Sequence, residues 1–482
     1  MITPRSRVPA LPHPIVGGTL VEWRAADPQS ALAAETPAPA GPSFLQIDHV
    51  VAATPKLAQG EPHTATATTV TVLDEPLDRP AMAAALTAFV RRHEEMRARY
   101  RLDDTGPVRL VAPPETLEFV TVDDETPEVA DADELLAHIV GRMETEAVFD
   151  RTPAIVAGAA DAGDRFTFYL GSDHVHTDGF SQLLGIDELI GLYRRARSGD
   201  FPPAPPVVGF GEWVAAEKAR AASLSADDPR LAHWREILAR HDRRVPGFPF
   251  DLGLVNDAPE ASVLVKRTLL SGGALDAAAA RTSASGASSV GLIHAALAAA
   301  QHEMLGIADY FTATVLATRT ERTADTQGWL CNFAPVAFPV ATGAPIGELA
   351  VSASAAVRRA RELSEVPVHA ILATLAAQGD YLPAAGSPQM LSYIDFRHTP
   401  GHDEPAVALA NIFTGIGPTR NANMWFSRLD GELLVVCQRP DNSTARDVVD
   451  AYLDTVTRWL AAYAAGDDPV PAPLTRQAGG AR

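Results

Sequence analysis

The sequence of 482 residues contains only two cysteines, Cys331 and Cys437. Two thiols cannot build a disulfide framework or a cysteine-rich zinc site. Positive charge is scarce too, because 40 Lys and Arg residues face 60 Asp and Glu residues, which leaves a net charge of −20. So acidic a chain repels phosphate backbones, and the sequence therefore argues against nucleic acid as a partner.

Long apolar runs are also missing. No stretch approaches the roughly 18 residues that a membrane helix needs. The first residues are interrupted by prolines and lack the apolar centre of a signal peptide. The sequence therefore predicts a cytoplasmic protein without a membrane span. It also lacks the G-x-S-x-G pattern of a serine nucleophile on a strand-to-helix turn.

The composition itself is that of a globular protein, with 46% hydrophobic and 21% charged residues. Residues 1–42 are rich in Pro and Ala and are expected to run extended over a surface, pinned by Trp23. The irregular stretch 245–259 holds three prolines and is the predicted boundary between two halves. We expect an N-terminal subdomain over 43–245, a C-terminal subdomain over 260–467 and a frayed tail over 468–482.

Both halves mix strand and helix patterns. Alternating or β-branched runs predict strands over Thr68–Leu73, Phe166–Gly171, Ser262–Leu270, Phe311–Ala317 and Leu433–Cys437. Helical spacing of apolar residues predicts helices over Leu77–Tyr100, Phe180–Arg197, Ser288–Leu305 and Ala445–Tyr463. The patterns therefore predict an α/β fold class, in two mixed halves of similar size.

The segment Ser172–Ser181 is the most informative for chemistry, because it joins a predicted strand to a predicted helix. His174 lies near the positive end of that helix, whose field disfavours an imidazolium and suits a general base. Gly179 allows a tight turn and a close approach to a ligand. Asp178 is either a second catalytic group or a structural anion paired with an arginine.

Two other interpretations of this segment remain open. In the first, Asp178 only caps a helix and the histidines are incidental. In the second, His174, His176 and Asp178 follow the H-x-H-x-D spacing of zinc hydrolases of the metallo-β-lactamase type. Those enzymes place a histidine directly after the aspartate, where this chain has Gly179.

The pattern His174-x-x-x-Asp178-Gly179 resembles the HHxxxDG motif of the condensation-domain acyltransferase superfamily. That superfamily includes nonribosomal peptide condensation domains, the mycobacterial polyketide-associated (Pap) acyltransferases and chloramphenicol acetyltransferase. Further segments resemble family motifs in the same order: Pro42–Gln46, Arg92–Arg97, Phe149–Pro153, Phe210–Trp213, Gly328–Phe333, Val366-Pro367 and Arg439–Asn442. The resemblance spans roughly Pro42 to Tyr463.

The resemblance implies an α/β fold of the α+β sandwich type, in which two chloramphenicol-acetyltransferase-like subdomains form a V-shaped pseudo-dimer with a central tunnel. It assigns the chemistry to His174 and stabilisation of an oxyanion to the backbone near Gly179. The motif Asp178 would form a structural salt bridge with Arg319, or failing that with Arg322. We further expect three residues to line the substrate tunnel: His176, Trp329 and Asn332.

One position departs from the family motif. The family's first histidine is replaced by Asp173, whereas its second, which carries the chemistry, is matched by His174. A carboxylate beside His174 is expected to raise the pKa of the imidazole and to lower its neutral fraction.

The predicted function is that of a stand-alone acyltransferase in natural-product or complex-lipid biosynthesis. It would move an acyl group from a carrier-protein or CoA thioester to a hydroxyl or an amine, giving an ester or an amide. We expect no bound cofactor or metal, a carrier protein acting in trans, and a monomer. The alternatives are a non-catalytic condensation-like scaffold that binds carrier proteins, and the zinc hydrolase.

Overall fold

The computed structural model describes residues 9, 11–122, 127–201, 205–384 and 386–472. These residues form two compact units. The first holds the chain up to Ala219 together with Arg319–Cys331 and His398–Gly417. The second holds Arg220–Thr318, Asn332–Arg397 and the chain from Pro418 onward. Each unit combines helices with a β-sheet, as the sequence predicts.

The first unit contains strands β1 to β9 and β14 and helices α1 to α6 and α12. The strands are β1 (Gly18–Ala25), β2 (Thr36–Pro37), β3 (Thr66–Leu73), β4 (Ala98–Asp103), β5 (Gly106–Val111), β6 (Phe119–Thr121), β7 (Glu128–Val129), β8 (Ile155–Asp161), β9 (Phe166–Asp173) and β14 (Asn411–Thr414). The helices are α1 (Pro28–Ala34), α2 (Phe44–Ala58), α3 (Arg79–Arg92), α4 (Ala132–Glu146), α5 (Gly179–Ser198), α6 (Phe210–Ala222) and α12 (Pro405–Ala408).

Within the described residues, the main sheet of this unit has the order β14-β3-β9-β8-β1-β6, and β7 also pairs with β1. Strand β9 is central and is buried on both faces. Phe166 and Phe168 pack into a core with α3 and α5, whereas Tyr169 faces a second core built on α4. Since β9 also pairs antiparallel with both β3 and β8, its carboxyl end is held firmly where α5 begins.

The second unit contains the remaining elements. Its strands are β10 (Ser262–Ser271), β11 (Asp309–Ala317), β12 (Cys331–Pro339), β13 (Met390–Asp395), β15 (Asn423–Arg428) and β16 (Glu432–Pro440). Its helices are α7 (Pro229–Arg240), α8 (Gly272–Ala284), α9 (Ser289–Leu305), α10 (Ile346–Leu363), α11 (Val368–Ala377) and α13 (Ser443–Ala464). The strand order in its sheet is β10-β16-β15-β13-β11-β12.

Helix α9 is the centre of the second unit's core. Its alanine-rich middle, from Ala295 to Ala300, is almost fully buried because α10 and α13 pack closely against it. Small side chains allow such close helix packing. The helix ends at Leu305, and Gly306 closes it in the left-handed conformation, with a φ of 74°.

Two details of the predicted organisation differ from the structure. The N-terminal stretch of the first unit ends at Ala219 rather than near residue 245, because Leu231 and Trp234 of α7 are buried in the second unit's core. In the described part of residues 1–42, Trp23 is buried, as expected of the residue that pins this segment, but β1 is a paired strand of the main sheet and α1 follows it, so the segment does not simply run over the surface. The predicted tail over 468–482 lies outside the described residues from 473 onward.

The long helix predicted over Leu77–Tyr100 is also wrong in its second part. Helix α3 ends at Arg92, a 3₁₀ turn covers Glu94–Arg97, and β4 follows. Met96 lies in this turn and Tyr100 in this strand. Both are buried, so their spacing resembles that of the apolar face of a helix. The other helices and strands named above are confirmed, with ends that shift by a few residues.

Over the described ranges, no single helix is long and apolar enough to cross a membrane. The bent pair α8 and α9 meets the length and composition criteria only when the two helices are taken together across a bend of 102°.

Candidate active site

The candidate site is built on the loop between β9 and α5. Residues His174–His176 form one 3₁₀ turn, and the His174 amide donates a hydrogen bond to the carbonyl of Ala65 (2.8 Å). Asp178 then caps α5, because its Oδ1 accepts a hydrogen bond from the Ser181 amide at 2.7 Å. The loop is therefore fixed at both ends.

The His174 ring lies against the indole of Trp329, with ring centroids 4.5 Å apart. Both residues are half-buried. The Nδ1 atom of His174 is buried and has no hydrogen-bond partner on another residue. Because the residue is only half-buried, part of the ring stays accessible beside this aromatic side chain, where an imidazole can accept a substrate proton.

The environment lowers the pKa of His174 below its ordinary 6.5. Burial is the largest cause, and the positive charge of His49 adds to it. The backbone of His174 itself, Asp173 and Asp178 act in the opposite direction. The expected effect of Asp173 is confirmed in direction, because its charge raises the pKa of His174. Burial and the charge of His49 outweigh it, and the net shift favours the neutral ring.

Asp178 and Arg319 are brought together, with Asp178 Oδ1 3.6 Å from Arg319 Nη2. Asp178 Oδ2 accepts a second hydrogen bond from the Leu330 amide at 2.8 Å. Arg319 also donates to the Ser181 hydroxyl, and its guanidinium lies 5.1 Å from the centre of the Phe180 ring. Arg322, the other candidate, pairs instead with Glu212 in an exposed position.

This arrangement fixes the segment that carries Trp329. Leu330 is anchored to Asp178, and the Ser181 hydroxyl donates a hydrogen bond to the Gly328 carbonyl. Gly328 has a φ of 149°, and a Cβ at this position would lie 2.2 Å from the Phe210 ring. Only glycine fits there without a shift of the neighbouring ring.

A buried polar network supports the loop between β9 and α5. Gln46 donates from Nε2 to the Val175 carbonyl (2.9 Å) and to Glu95 Oε1 (3.2 Å). Glu95 also contacts His176, Tyr100 and Arg109. Burial opposes ionisation of the Glu95 carboxyl, but the neighbouring cations and hydrogen-bond donors prevail, and the pKa of Glu95 is lowered. The segments around Gln46 and Glu95 therefore support the loop from inside.

Two of the three predicted tunnel residues are in other environments. His176 is fully buried and its Nδ1 lies 3.1 Å from Glu95, so it belongs to the network beneath the loop. Asn332 is buried in the second unit, where its amide donates to the carbonyls of Ser364 and Val366. Trp329 is the one that contacts His174.

The structure also separates the three residues of the zinc interpretation. His176 contacts Glu95, and Asp178 pairs with Arg319. The ring of His174 packs against Trp329. Within the part of the chain that the structure describes, the one cluster with the composition of a metal site is a different one: His49, His63 and Asp173.

Sequence reasoning missed His49 and His63. They contact Asp173 from α2 and from the loop that follows it, more than 100 positions away in the sequence. A pattern search cannot join positions so distant. The available signal was chemical: a buried aspartate in place of the motif histidine requires buried partners elsewhere in the chain.

Comparison with known proteins identifies the family of the chain. The family model for the condensation domain matches residues 55–385. The chain is 27% identical to the 2'-acyl-2-O-sulfo-trehalose (hydroxy)phthioceranyltransferase PapA1 of Mycobacterium tuberculosis (strain CDC 1551 / Oshkosh), over 91% of this chain and 85% of that protein. It is 25% identical to the trehalose-2-sulfate acyltransferase PapA2 of Mycobacterium bovis (strain BCG / Pasteur 1173P2), over 68% of this chain and 69% of that one.

Solved structures show the same fold. A PapA2 acyl transferase superposes with a TM-score of 0.82 at 22% identity, covering 93% of this chain and 97% of that one. The first condensation domain of the CDA synthetase gives 0.68 at 20% identity, covering 89% and 97%. The chloramphenicol-acetyltransferase-like fold predicted from the sequence is thereby confirmed. The chain belongs to the condensation-domain family and is a condensation-type acyltransferase.

Proposed function

We propose that this enzyme transfers an acyl group from a thioester to a hydroxyl, with His174 as the general base. The observation that carries the proposal is the His174 ring itself, which is only half-buried, lies against Trp329 and has a pKa that burial lowers. A neutral imidazole can accept a proton, and its fixed ring plane can orient the acceptor.

The proposed reaction needs no acyl-enzyme. His174 takes the hydroxyl proton as the oxygen attacks the thioester carbonyl, and a tetrahedral oxyanion forms. Its collapse breaks the carbon–sulfur bond, and the leaving thiolate takes the proton back from His174. The products are one ester and one free thiol.

Asp178, Gly179 and Arg319 have supporting roles in this proposal. Asp178 is already used by the Ser181 and Leu330 amides and by Arg319, so it is a structural anion rather than a second base. Helix α5 begins at Gly179, and the amides at a helix start suit a developing negative charge. We assign oxyanion stabilisation to this backbone.

For the acceptor we propose a sugar or related polyol, and for the product an ester rather than an amide. PapA1 and PapA2 are both named for acylation of sulfated trehalose. We propose a donor on the phosphopantetheine arm of a carrier protein in trans, or on CoA. Because such thioesters are made in the cytoplasm, we place the reaction there.

The test is an acyl-transfer assay with defined thioesters. Octanoyl-CoA, palmitoyl-CoA and the same acyl groups on a carrier protein are offered with trehalose, trehalose 2-sulfate, glucose or glucosamine, and products are identified by mass spectrometry. We expect acylation of a hydroxyl with one free thiol per ester. Amide formed on glucosamine without any ester would overturn the ester proposal, and metal-dependent thioester hydrolysis alone would overturn transfer.

A further inference from the structure

Asp173, which replaces the family's first motif histidine, is a fully buried carboxylate between two imidazoles. Its Oδ1 lies 2.7 Å from His49 Nε2 and its Oδ2 lies 2.7 Å from His63 Nε2. Each oxygen also accepts a backbone hydrogen bond, Oδ1 from Val175 (2.8 Å) and Oδ2 from Phe149 (2.9 Å). Both carboxylate oxygens are therefore fully engaged.

The composition of this cluster suits a metal ion, but its distances do not. Ligands around tetrahedral zinc, each about 2.0–2.1 Å from the metal, lie about 3.3 Å from one another. A separation of 2.7 Å is instead that of a charge-assisted contact between nitrogen and oxygen. Both the charge of the imidazoles and hydrogen bonding across these contacts lower the pKa of Asp173.

Burial also determines how many protons the cluster holds. With both imidazoles neutral, it would bury one uncompensated negative charge, and with both protonated, one positive charge. With a single proton it is neutral overall, which costs least in an interior.

The pKa shifts of Asp173 and His49 indicate which charge states the cluster favours. Burial opposes ionisation of Asp173, yet the two histidines keep the pKa of its carboxyl far below the ordinary range. Burial likewise works against the His49 imidazolium, but the attraction of Asp173 prevails and the pKa of His49 is raised. These directions favour a protonated His49 beside an ionised Asp173.

We propose that His49 and His63 are positioning residues, which form with Asp173 a buried one-proton ion-pair cluster whose charge on His49 keeps His174 uncharged. The proposal deepens the proposed function, since it rests on His174 acting as the base. His49 and His174 lie on the same aromatic wall, with ring centroids 6.0 Å and 4.5 Å from that of Trp329.

The charges around His174 are set by three elements. His49 on α2 disfavours protonation of its ring, whereas Asp173 at the end of β9 and Asp178 at the start of α5 favour it. Arg319, from the segment that carries Trp329, is occupied by Asp178. Removing the His49 charge leaves the two carboxylates unopposed except by burial.

The test is a histidine titration by NMR, which does not depend on acyl transfer. The 14 histidines are labelled with ¹³C at Cε1, and the His174 signal is assigned with His174→Ala. We expect His49→Gln to raise the pKa of His174, because the opposing charge is removed. The control is His138→Gln, which replaces a histidine of α4 outside the cluster and should leave that pKa unchanged. A His174 that titrates identically in His49→Gln would overturn the proposal.

A second measurement covers the case in which His49→Gln does not fold. In the unaltered protein the His49 signal should remain that of an imidazolium through neutral pH, and its titration below 6.5 would overturn the proposal. One equivalent of bound zinc, lost in His63→Ala, would overturn it in favour of a metal centre. Inactivity towards every thioester would refute the proposed function while leaving these titrations unaffected.

Discussion

Asp178 Oδ1 and Arg319 Nη2 lie 3.6 Å apart, and each side chain is about nine-tenths shielded from solvent. The pair is close in space although the residues are 141 positions apart. Asp178 stands at the start of α5, directly after the loop that presents His174. The ion pair therefore connects this loop to the segment that carries Trp329.

Asp178→Ala should therefore cost more than the loss of an ordinary helix cap. It removes the Ser181 cap, the Leu330 anchor and the partner of a buried guanidinium, and we expect a loss of about 3–5 kcal/mol in unfolding free energy. The matched control is Asp131→Ala, which removes the exposed cap of α4 and should cost about 1 kcal/mol. Equal losses in urea denaturation would contradict a tertiary role for Asp178.

Gln46→Leu should reduce both stability and activity. The substitution leaves the buried Val175 carbonyl without its donor, which costs about 1–3 kcal/mol, and it loosens the loop that holds His174. The comparison variant is Gln301→Leu, which removes a buried hydrogen bond to Tyr452 in the second unit. We expect a comparable fall in melting temperature with kcat retained. A kcat that falls equally in both variants would show that general destabilisation is responsible.

The buried His294 of α9 should make the protein acid-sensitive. Burial lowers the pKa of His294 from 6.5 to about 4. Above pH 6.5 His294 is neutral in both the folded and the unfolded chain, so its lowered pKa does not affect stability. As the pH falls below 6.5, the unfolded chain binds a proton at this histidine and the folded chain does not. Stability should decline down to about pH 4, by about 2 kcal/mol between pH 7.5 and pH 5.

His294→Gln removes this titration and keeps a polar group near the Tyr310 hydroxyl, 3.1 Å from the histidine Nδ1. Urea denaturation at pH 7.5 and pH 5 should show a smaller pH-dependent loss in the variant than in the unaltered protein. An identical loss in both would mean that His294 becomes protonated without unfolding.

The local elements and the motif loop were predictable because their signals lie close together in the sequence. The alternation at Phe166–Gly171 and the cap at Asp178 both indicate the strand-to-helix turn that presents His174. Arg319 could be named only through the resemblance to a family. The environment of Asp173 was not predictable, since His49 and His63 reach it through tertiary packing.

The same limit explains the errors about individual side chains. His176 is two residues from His174, so an extended loop would turn both rings the same way. The 3₁₀ turn breaks that alternation and directs His176 into the network around Glu95. The net pKa of His174 also depends on burial and on His49, which are properties of the folded chain.

The most direct test of the proposed chemistry is acyl transfer by His174→Ala, measured as kcat/KM with the thioester and hydroxyl acceptor that the assay identifies. Loss of a positioned general base should lower the rate by about 10²–10⁴-fold while the melting temperature stays close to that of the unaltered protein. His138→Ala, a change outside the catalytic loop, should retain activity. Full activity in a folded His174→Ala would contradict the assignment of His174 as the base.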